Sequence, residues 1–136
     1  MSSGINDLNT AIYTALNVSA ITTLATGGVY HVKAPQGTAY PFITYFAVIN
    51  VQEDTFTEWV NDALIQVDVW SDSNSAAESG EIVEDIAGVM DDKVLTISGY
   101  DNNSKSIRQN TRLLYEDENN VFHQVMEYTV RWHKSM

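Results

Sequence analysis

The chain has 136 residues, of which 44% are apolar, and this suits one packed domain and excludes wholesale disorder. It contains no cysteine and no apolar run near the ~18 residues of a membrane span, which excludes disulfides, thiolate metal sites and a spanning helix. Eighteen acidic against seven basic residues give a formal charge of −11, so most of the surface should repel nucleic acid.

Two helices are predicted at the start of the chain. Apolar residues recur there at spacings of three and four, which predicts a helix of about four turns with one apolar face, at Ile5, Leu8, Ile12 and Leu16. Ser2-Ser3 is typical of a helix start, and Asn17 or Ser19 is expected to end this helix and cap a second, short one. Gly27-Gly28 should end this unit, because glycine accepts the left-handed conformation of a helix end.

Three strands are predicted next. Residues 29–33 are a short run of β formers, and residues 41–51 are a longer run that is apolar on both faces. A strand of that kind is expected to lie buried above and below. Residues 52–61 are interpreted as a long polar connection, or as a strand end that projects from the sheet. Residues 63–70 alternate cleanly between apolar and more polar positions, which predicts a strand with two different faces.

The long helix of the chain is predicted after the polar cluster at 71–75, in which Asp72 is expected to act as a turn or cap residue. The helix carries an apolar stripe at Ala76, Ser79, Ile82, Val83, Ile86, Val89 and Met90. Its acidic end at Asp91-Asp92 opposes the helix dipole, so a lysine or arginine should lie nearby.

The rest of the chain is predicted to be extended. A short strand falls within residues 94–100, a turn at 101–104 follows, and two long strands at 107–116 and 121–133 are joined by a tight turn. Strands separated by turns, with one long helix among them, predict an α+β fold: a mainly antiparallel β-sheet with an N-terminal helix and one long helix packed on one face. Residues 1–136 are expected to form a single domain.

No group of catalytic or metal-ligating residues stands out in the sequence. His31, His123 and His133 form no metal motif, and the last two would lie about 33 Å apart on one strand. Asp68 and Asp72 are paired carboxylates in sequence, but Asp72 is interpreted as a cap, and Asp68 as an outward residue or an arginine's partner. There is no glycine-rich phosphate loop. We therefore expect no catalytic, cofactor or metal site, and no enzyme activity.

Contacts with other copies are predicted from exposed aromatic residues and from charge. An aromatic residue in a polar loop, such as Trp59, is a common interface anchor. The alternative is that Trp59 folds back on its own core. Five of the seven cations lie in the last quarter of the chain while acidic residues crowd 53–92, which favours contact between unlike faces or reflects ordinary solubility. The predicted interface residues are Phe56, Trp59, Arg108, Arg112 and Arg131, with Arg108 and Arg112 on one face of their strand.

A small-ligand-binding domain or an enzyme is the alternative from another class of function. The sheet and the long helix would then enclose a pocket lined by Trp70, Phe122, Tyr128 and Trp132. Aromatic residues with this spacing are more often plain core, so the assembly interpretation is favoured.

The order of the segments carries a family resemblance. The stretches NDLNTAIYTAL and SAITTLATGG give two helices, and IQVDVWSDS leads into the helix SAAESGEIVEDIAGVM. Arg112 and the pattern Tyr128-Val130-Arg131 lie in the two closing strands. In this order and spacing the chain resembles the tail completion proteins of long-tailed phages, also called tail terminator or tail-to-head joining proteins.

This resemblance implies a structural protein of the virion tail that is assembled in the host cytoplasm. It implies a homohexamer ring that caps the head-proximal end of the tail tube, stops tube growth and provides the head-docking surface. The implied partners are other copies, the tail tube protein and the head–tail connector protein, with no membrane and no cofactor. Genomic DNA would pass through an acidic lumen without specific binding, and Glu78, Glu81 and Glu84 are candidates for lining it. Another connector or a tail-tube protein is the alternative within this class.

Overall fold

The computed structural model describes residues 4–101 and 104–135. Its elements, in chain order, are α1 Ile5–Leu16, α2 Ser19–Thr22, β1 Val29–His31, β2 Phe42–Gln52, β3 Glu58–Ser71, α3 Ala77–Met90, β4 Lys93–Leu95, β5 Ser104–Glu116 and β6 Val121–Ser135. The six strands form one sheet in the order β1-β2-β3-β6-β5-β4.

The sheet is mainly antiparallel, because only β1 and β2 pair in parallel. A mostly β structure with a few helices is consistent with the predicted α+β class. β3 and β6 are the central strands and pair along almost their whole length, from Glu58 opposite Ser135 to Ser71 opposite Phe122. The outermost strands, β1 and β4, have only three residues each, so most of β2 and β5 lies at the margin of the sheet.

Side chains of one sheet face hydrogen-bond to α1 and α3, and we call this the helix face and the other the opposite face. The Tyr45 hydroxyl donates to the Asn9 carbonyl at 3.3 Å, and the Gln124 amide donates to the Ser79 hydroxyl at 3.5 Å. Tyr128 and Trp132 are fully buried in this layer. The predicted helical stripes are confirmed at the buried positions Leu8, Ile12, Leu16, Ser79, Ile82, Val83, Ile86 and Met90.

The helix caps differ from those predicted. α1 follows Gly4 in a left-handed conformation, and the predicted start at Ser2-Ser3 lies outside the described residues, as does part of the 101–104 turn. Asn17 ends α1 as predicted, but Val18 precedes α2 and no side chain caps it. Asp72 is not the cap of α3: Ala76 holds that position, since the polar cluster runs on for four residues before the helix begins.

The second half of β2 contradicts its predicted burial. Ile43, Thr44 and Tyr45 are buried, whereas Val48 and Ile49 are 46% and 55% exposed. The reason is the length of the neighbouring strand, because β1 pairs with β2 only from Ile43 to Tyr45. An apolar residue on each face is therefore consistent here with an unpaired strand margin as well as with burial.

The segment between α2 and β2 depends on a glycine. The Gly27 amide donates to the Pro41 carbonyl at 2.8 Å, and a Cβ atom at position 27 would lie 1.9 Å from the Ala39 carbonyl oxygen. Tyr30 donates its hydroxyl to the Gly27 carbonyl at 2.6 Å. The chain can therefore return to start β2 only because residue 27 lacks a side chain.

Candidate assembly interface

The hairpin that joins β2 and β3 presents one predicted interface residue at its tip. Phe56 is fully exposed, at the apex of a turn that is fixed by side chains. Asp54 Oδ1 accepts the Val60 amide at 3.2 Å, and Thr55 Oγ1 accepts the Glu58 amide at 3.0 Å. Residues 58–61 belong to β3 and pair with β6, so the connection of the first interpretation is reduced to residues 53–57, and no projecting strand end is formed there. This short turn holds the phenyl ring of Phe56 in solvent.

Trp59 is placed differently from Phe56. It is the second residue of β3, opposite Lys134 of β6, and it is half-buried. An extended strand turns successive side chains to opposite faces, so Trp59 shares the helix face with the buried Asn61. The half-buried position of Trp59 fits the alternative in which this side chain folds back on its own core, whereas Phe56 is fully exposed.

The hairpin that joins β5 and β6 is exposed along its whole outer part. Every residue from 107 to 120 is exposed. Three consecutive apolar side chains, Leu113, Leu114 and Tyr115, are each nearly half exposed. Tyr115 donates its hydroxyl to Asn120 at 3.0 Å, which ties the turn to its strand. A strand with exposed apolar residues on both faces is a candidate contact surface.

The prediction that Arg108 and Arg112 share a face is wrong. A bulge at Gln109 adds one residue to β5, so Arg108 lies opposite Tyr128 and Arg112 opposite Val125. Arg108 therefore points to the helix face, where its guanidinium lies 3.0 Å from Asp91 at the end of α3. This is the cation that the acidic end of the helix was expected to need.

The interactions of Asp91 and Arg112 are local to the subunit. Tyr128 donates its hydroxyl to Asp91 at 2.6 Å, and burial together with this carboxylate raises the pKa of Tyr128. On the opposite face Arg112 donates to Glu127 at 2.6 Å. That hydrogen bond, with a second one from Asn110, lowers the pKa of Glu127.

Arg131 joins the β2–β3 turn to the central strands. Its guanidinium lies 2.8 Å from Asp62 and 3.3 Å from Glu53. Burial and a hydrogen bond with Glu53 raise the pKa of Asp62 in spite of this arginine. All three arginines thus have a carboxylate partner within the subunit. To act at the interface as predicted, each would have to contact a carboxylate of a neighbouring copy in addition to this partner or in its place.

The carboxylates considered for chemistry are separated by the fold. Asp68 is buried, at 3% exposure, and its carboxylate lies 2.7 Å from His123 Nε2. The interpretations of Asp68 as an outward residue or as an arginine's partner are therefore both wrong. The His123 ring stacks on Trp70 with the centroids 3.7 Å apart. Asp72 is exposed and lies beyond the end of β3. This buried pair braces two neighbouring strands, since His123 lies directly opposite Trp70 in the register.

One cluster in the described residues has the composition of a metal site. Single ligand atoms of Glu58, Asp101 and His133 lie within 4.8 Å of one another. His133 Nε2 is 3.2 Å from the Asp101 carboxylate and 3.5 Å from the Glu58 carboxylate. Both carboxylates are well exposed, and exposed acidic groups are common without an ion, so His133 lying between two surface carboxylates accounts for the arrangement.

The pocket of the ligand-binding alternative is not formed. Trp70 points to the opposite face, whereas Tyr128 and Trp132 are buried on the helix face, so the sheet itself separates them. Trp70 instead borders a surface groove of about 330 Å³ beneath the loop that includes Lys33 and Tyr40. No helix in the described part of the chain is long and apolar enough to cross a membrane.

In the described residues the margins of the sheet are exposed, and the three arginines are paired with carboxylates of the same subunit. These features are typical of a structural protein that contacts other proteins. The family model for "Tail completion protein gp17" matches residues 10–133, and the chain therefore belongs to this family. It is a structural protein of the phage tail and not an enzyme, and it is a component of the virion.

The fold is also similar to a solved structure. A chain from the virion of a native gene transfer agent (GTA) particle superposes with a TM-score of 0.81 at 12% identity, and the match covers 93% of this chain and 94% of the other. At this identity the similarity concerns the fold. No curated protein sequence matches the chain.

Proposed function

We propose that this chain is the tail terminator: it forms a homohexamer ring at the head-proximal end of the tail tube as a single domain. The ring stops tube polymerisation and provides the surface on which the head–tail connector docks. The membership in the tail completion family supports this assignment.

The observation that carries the proposal is the asymmetry of the sheet. Its two long hairpins point in opposite directions, and each bears exposed apolar residues, with Phe56 on one and Leu113 and Leu114 on the other. A subunit with two unlike surfaces associates head to tail, and such contacts close into a ring when the rotation between copies completes a circle.

The net charge suits the passage of DNA. The three arginines are already paired inside the subunit, so the four lysines remain to bind phosphates, against eighteen acidic residues in the chain. The formal charge of −11 therefore favours a lumen that genomic DNA crosses without adhering.

The test is assembly in the presence of the tail tube protein. We expect the purified chain to form a closed ring of six in native mass spectrometry, alone or on meeting tube, and to cap growing tubes at one end in electron micrographs. Tubes should stop lengthening when it is added. Polymerisation of the chain itself into long open stacks would instead indicate a tail-tube protein, and a monomer that leaves tube growth unchanged would refute the proposal.

A further inference from the structure

The sheet has two incomplete edges at its opposite sides. β1 pairs with β2 only at Ile43–Tyr45, so among the described residues no strand covers the outer edge of β2 from 46 to 52. β4 pairs with β5 only at Ser104–Ser106, which leaves residues 107–116 uncovered in the same part of the chain. Unpaired strand edges of this length are templates for pairing with another chain.

We infer that neighbouring copies join by pairing the free edge of β2 (residues 46–52) with the free edge of β5 (residues 107–116) of the next copy. This inference rests on the proposed ring and names its lateral contact. β2, β3, β6 and β5 alternate in direction, so β5 runs opposite to β2. Copies related by rotation within a ring keep this relation, and their edges would therefore pair antiparallel.

The short strands determine how far the copies are offset. The middle of the β5 edge, Thr111 and Arg112, lies in the same cross-sheet rows as Tyr45 and Thr44 of β2. The middle of the β2 edge is Ile49, which is four to five residues further along β2. Aligning the two edges therefore shifts one copy along the strands by about 15 Å at ~3.4 Å per residue.

This offset agrees with the geometry of a closed sheet. Four long strands at ~4.8 Å spacing are about 19 Å wide, so a shift of about 15 Å per copy tilts the strands by roughly 38°. Closed barrels have strand tilts of about 35–45°. The edges of this subunit are thus stepped by the amount that a continuous ring of strands requires.

The two faces of the sheet restrict the register further. Ile49 and Val51 lie opposite Leu64 and Asp62, and so belong to the opposite face, as do Arg112 and Asn110. Keeping each face continuous pairs Ile49 with Arg112 and Asn50 with Thr111. Leu113 and Leu114 then come beside the bulge at Val48, and the acidic turn after β2 comes beside the end of β5 that carries Arg108.

Continuity of the sheet also assigns the lumen. With α1 and α3 on the helix face, the opposite face would line the channel. Asp62 and Glu127 lie on that face together with their partners Arg131 and Arg112, so these paired groups, and not Glu78, Glu81 and Glu84 of α3, would face the channel.

The chain has no cysteine, so engineered disulfides report directly on this pairing. Within one subunit Ile49 and Arg112 are separated by β3 and β6, about 14 Å, which no disulfide spans. We expect Ile49→Cys/Arg112→Cys and Asn50→Cys/Thr111→Cys to give, on oxidation, a ladder of covalent oligomers ending in a closed species. The control Ile49→Cys/Glu116→Cys, displaced by four residues on the same strand, should remain largely unlinked.

Amide hydrogen exchange of the unmodified chain gives a second measurement that no substitution can disturb. Residues 46–52 and 107–116 should gain at least tenfold protection when rings form, while exposed positions of α3 should not change. Rings that form without cross-links at either pair and without this protection would overturn the inference and leave the ring proposal intact. Failure of the unmodified chain to form rings, with or without tube, would overturn both.

Discussion

The two hairpins differ in how much of their own subunit holds them. The β2–β3 turn is fixed by hydrogen bonds to Asp54 and Thr55 and by the ion pairs of Arg131, and β3 is flanked by two long strands. β5 from residue 107 onward is paired on one side only, with β6, in the part of the chain that the structure describes. The two hairpins therefore differ in internal support: the turn of the β2–β3 hairpin is fixed by its own subunit, whereas the described part of β5 beyond residue 106 has a partner strand on one side only.

The largest effect is expected from charges placed on the exposed leucines of the β5–β6 hairpin. Leu113→Asp/Leu114→Asp should weaken assembly by at least about tenfold, because the contact would bury unpaired carboxylates. The melting temperature of the monomer should hardly change, since both side chains are half exposed. Sedimentation velocity measures the first and calorimetry the second. Tyr13→Asp, on the exposed part of α1, is the matched control, and equal rings from both variants would contradict the comparison.

Charge reversal at Arg112 should produce a smaller effect of the same kind. Arg112→Glu removes the contact with Glu127 and sets two carboxylates side by side, at a cost of about 0.5–1 kcal/mol in unfolding free energy. Association should also weaken several-fold if Arg112 lies at the interface, as the sequence predicts. Light scattering is the measurement. Arg112→Gln separates loss of charge from repulsion, and an unaltered assembly of both variants would remove Arg112 from the interface.

A substitution in the β2–β3 turn should lower the stability of the monomer itself. Asp54→Ala removes the acceptor of the Val60 amide and should destabilise the chain by about 1 kcal/mol, measured by urea denaturation. Hydrogen exchange should accelerate at 53–60 and stay the same at 107–120. Asp54→Asn keeps an acceptor oxygen and should recover most of the loss; equal acceleration in both hairpins would show that they are not independent.

Phe56 should matter little to folding. Because its side chain is fully exposed, Phe56→Ser should change the unfolding free energy by less than about 0.5 kcal/mol. Any decrease in binding to the tail tube or to other copies would then report contact rather than stability. A large loss of stability would mean that the phenyl ring of Phe56 packs against its own subunit.

Acidification should give the smallest effect, with opposite signs in the two hairpins. The pKa of Glu127 is lowered, so its contribution to stability is present above its unfolded pKa of about 4.3 and is lost as the pH falls through the folded value. The pKa of Asp62 is raised, so protonation relieves an unfavourable charge as the pH falls through its folded value. NMR titration of the two carboxyls, with Glu127→Gln as control, should show Asp62 titrating first.

The sequence predicts those features that depend on local periodicity. The stripe of α3 from Ser79 to Met90 and the alternation of β3 and β6 are confirmed, because burial of one face imposes the spacing of apolar residues. The cation expected near Asp91 is Arg108.

The features that the sequence could not predict depend on strand order. Neither the bulge at Gln109 nor the pairing of Asp68 with His123 has a local signal, since each requires the register of β6. The exposure of Ile49 depends on where β1 stops. The sequence itself shows only that the predicted run at 29–33 is much shorter than the run at 41–51.

The internal pairing of the arginines has a consequence for the rate of assembly. Subunits that carry a formal charge of −11 repel one another at long range, and paired guanidinium groups offer little attraction to offset this. Added salt shortens the Debye length to about 8 Å at 0.15 M and removes most of this repulsion. For the proposed ring we therefore expect the encounter of copies to accelerate as salt rises, opposite to the slowing seen when proteins are steered together by unlike charges.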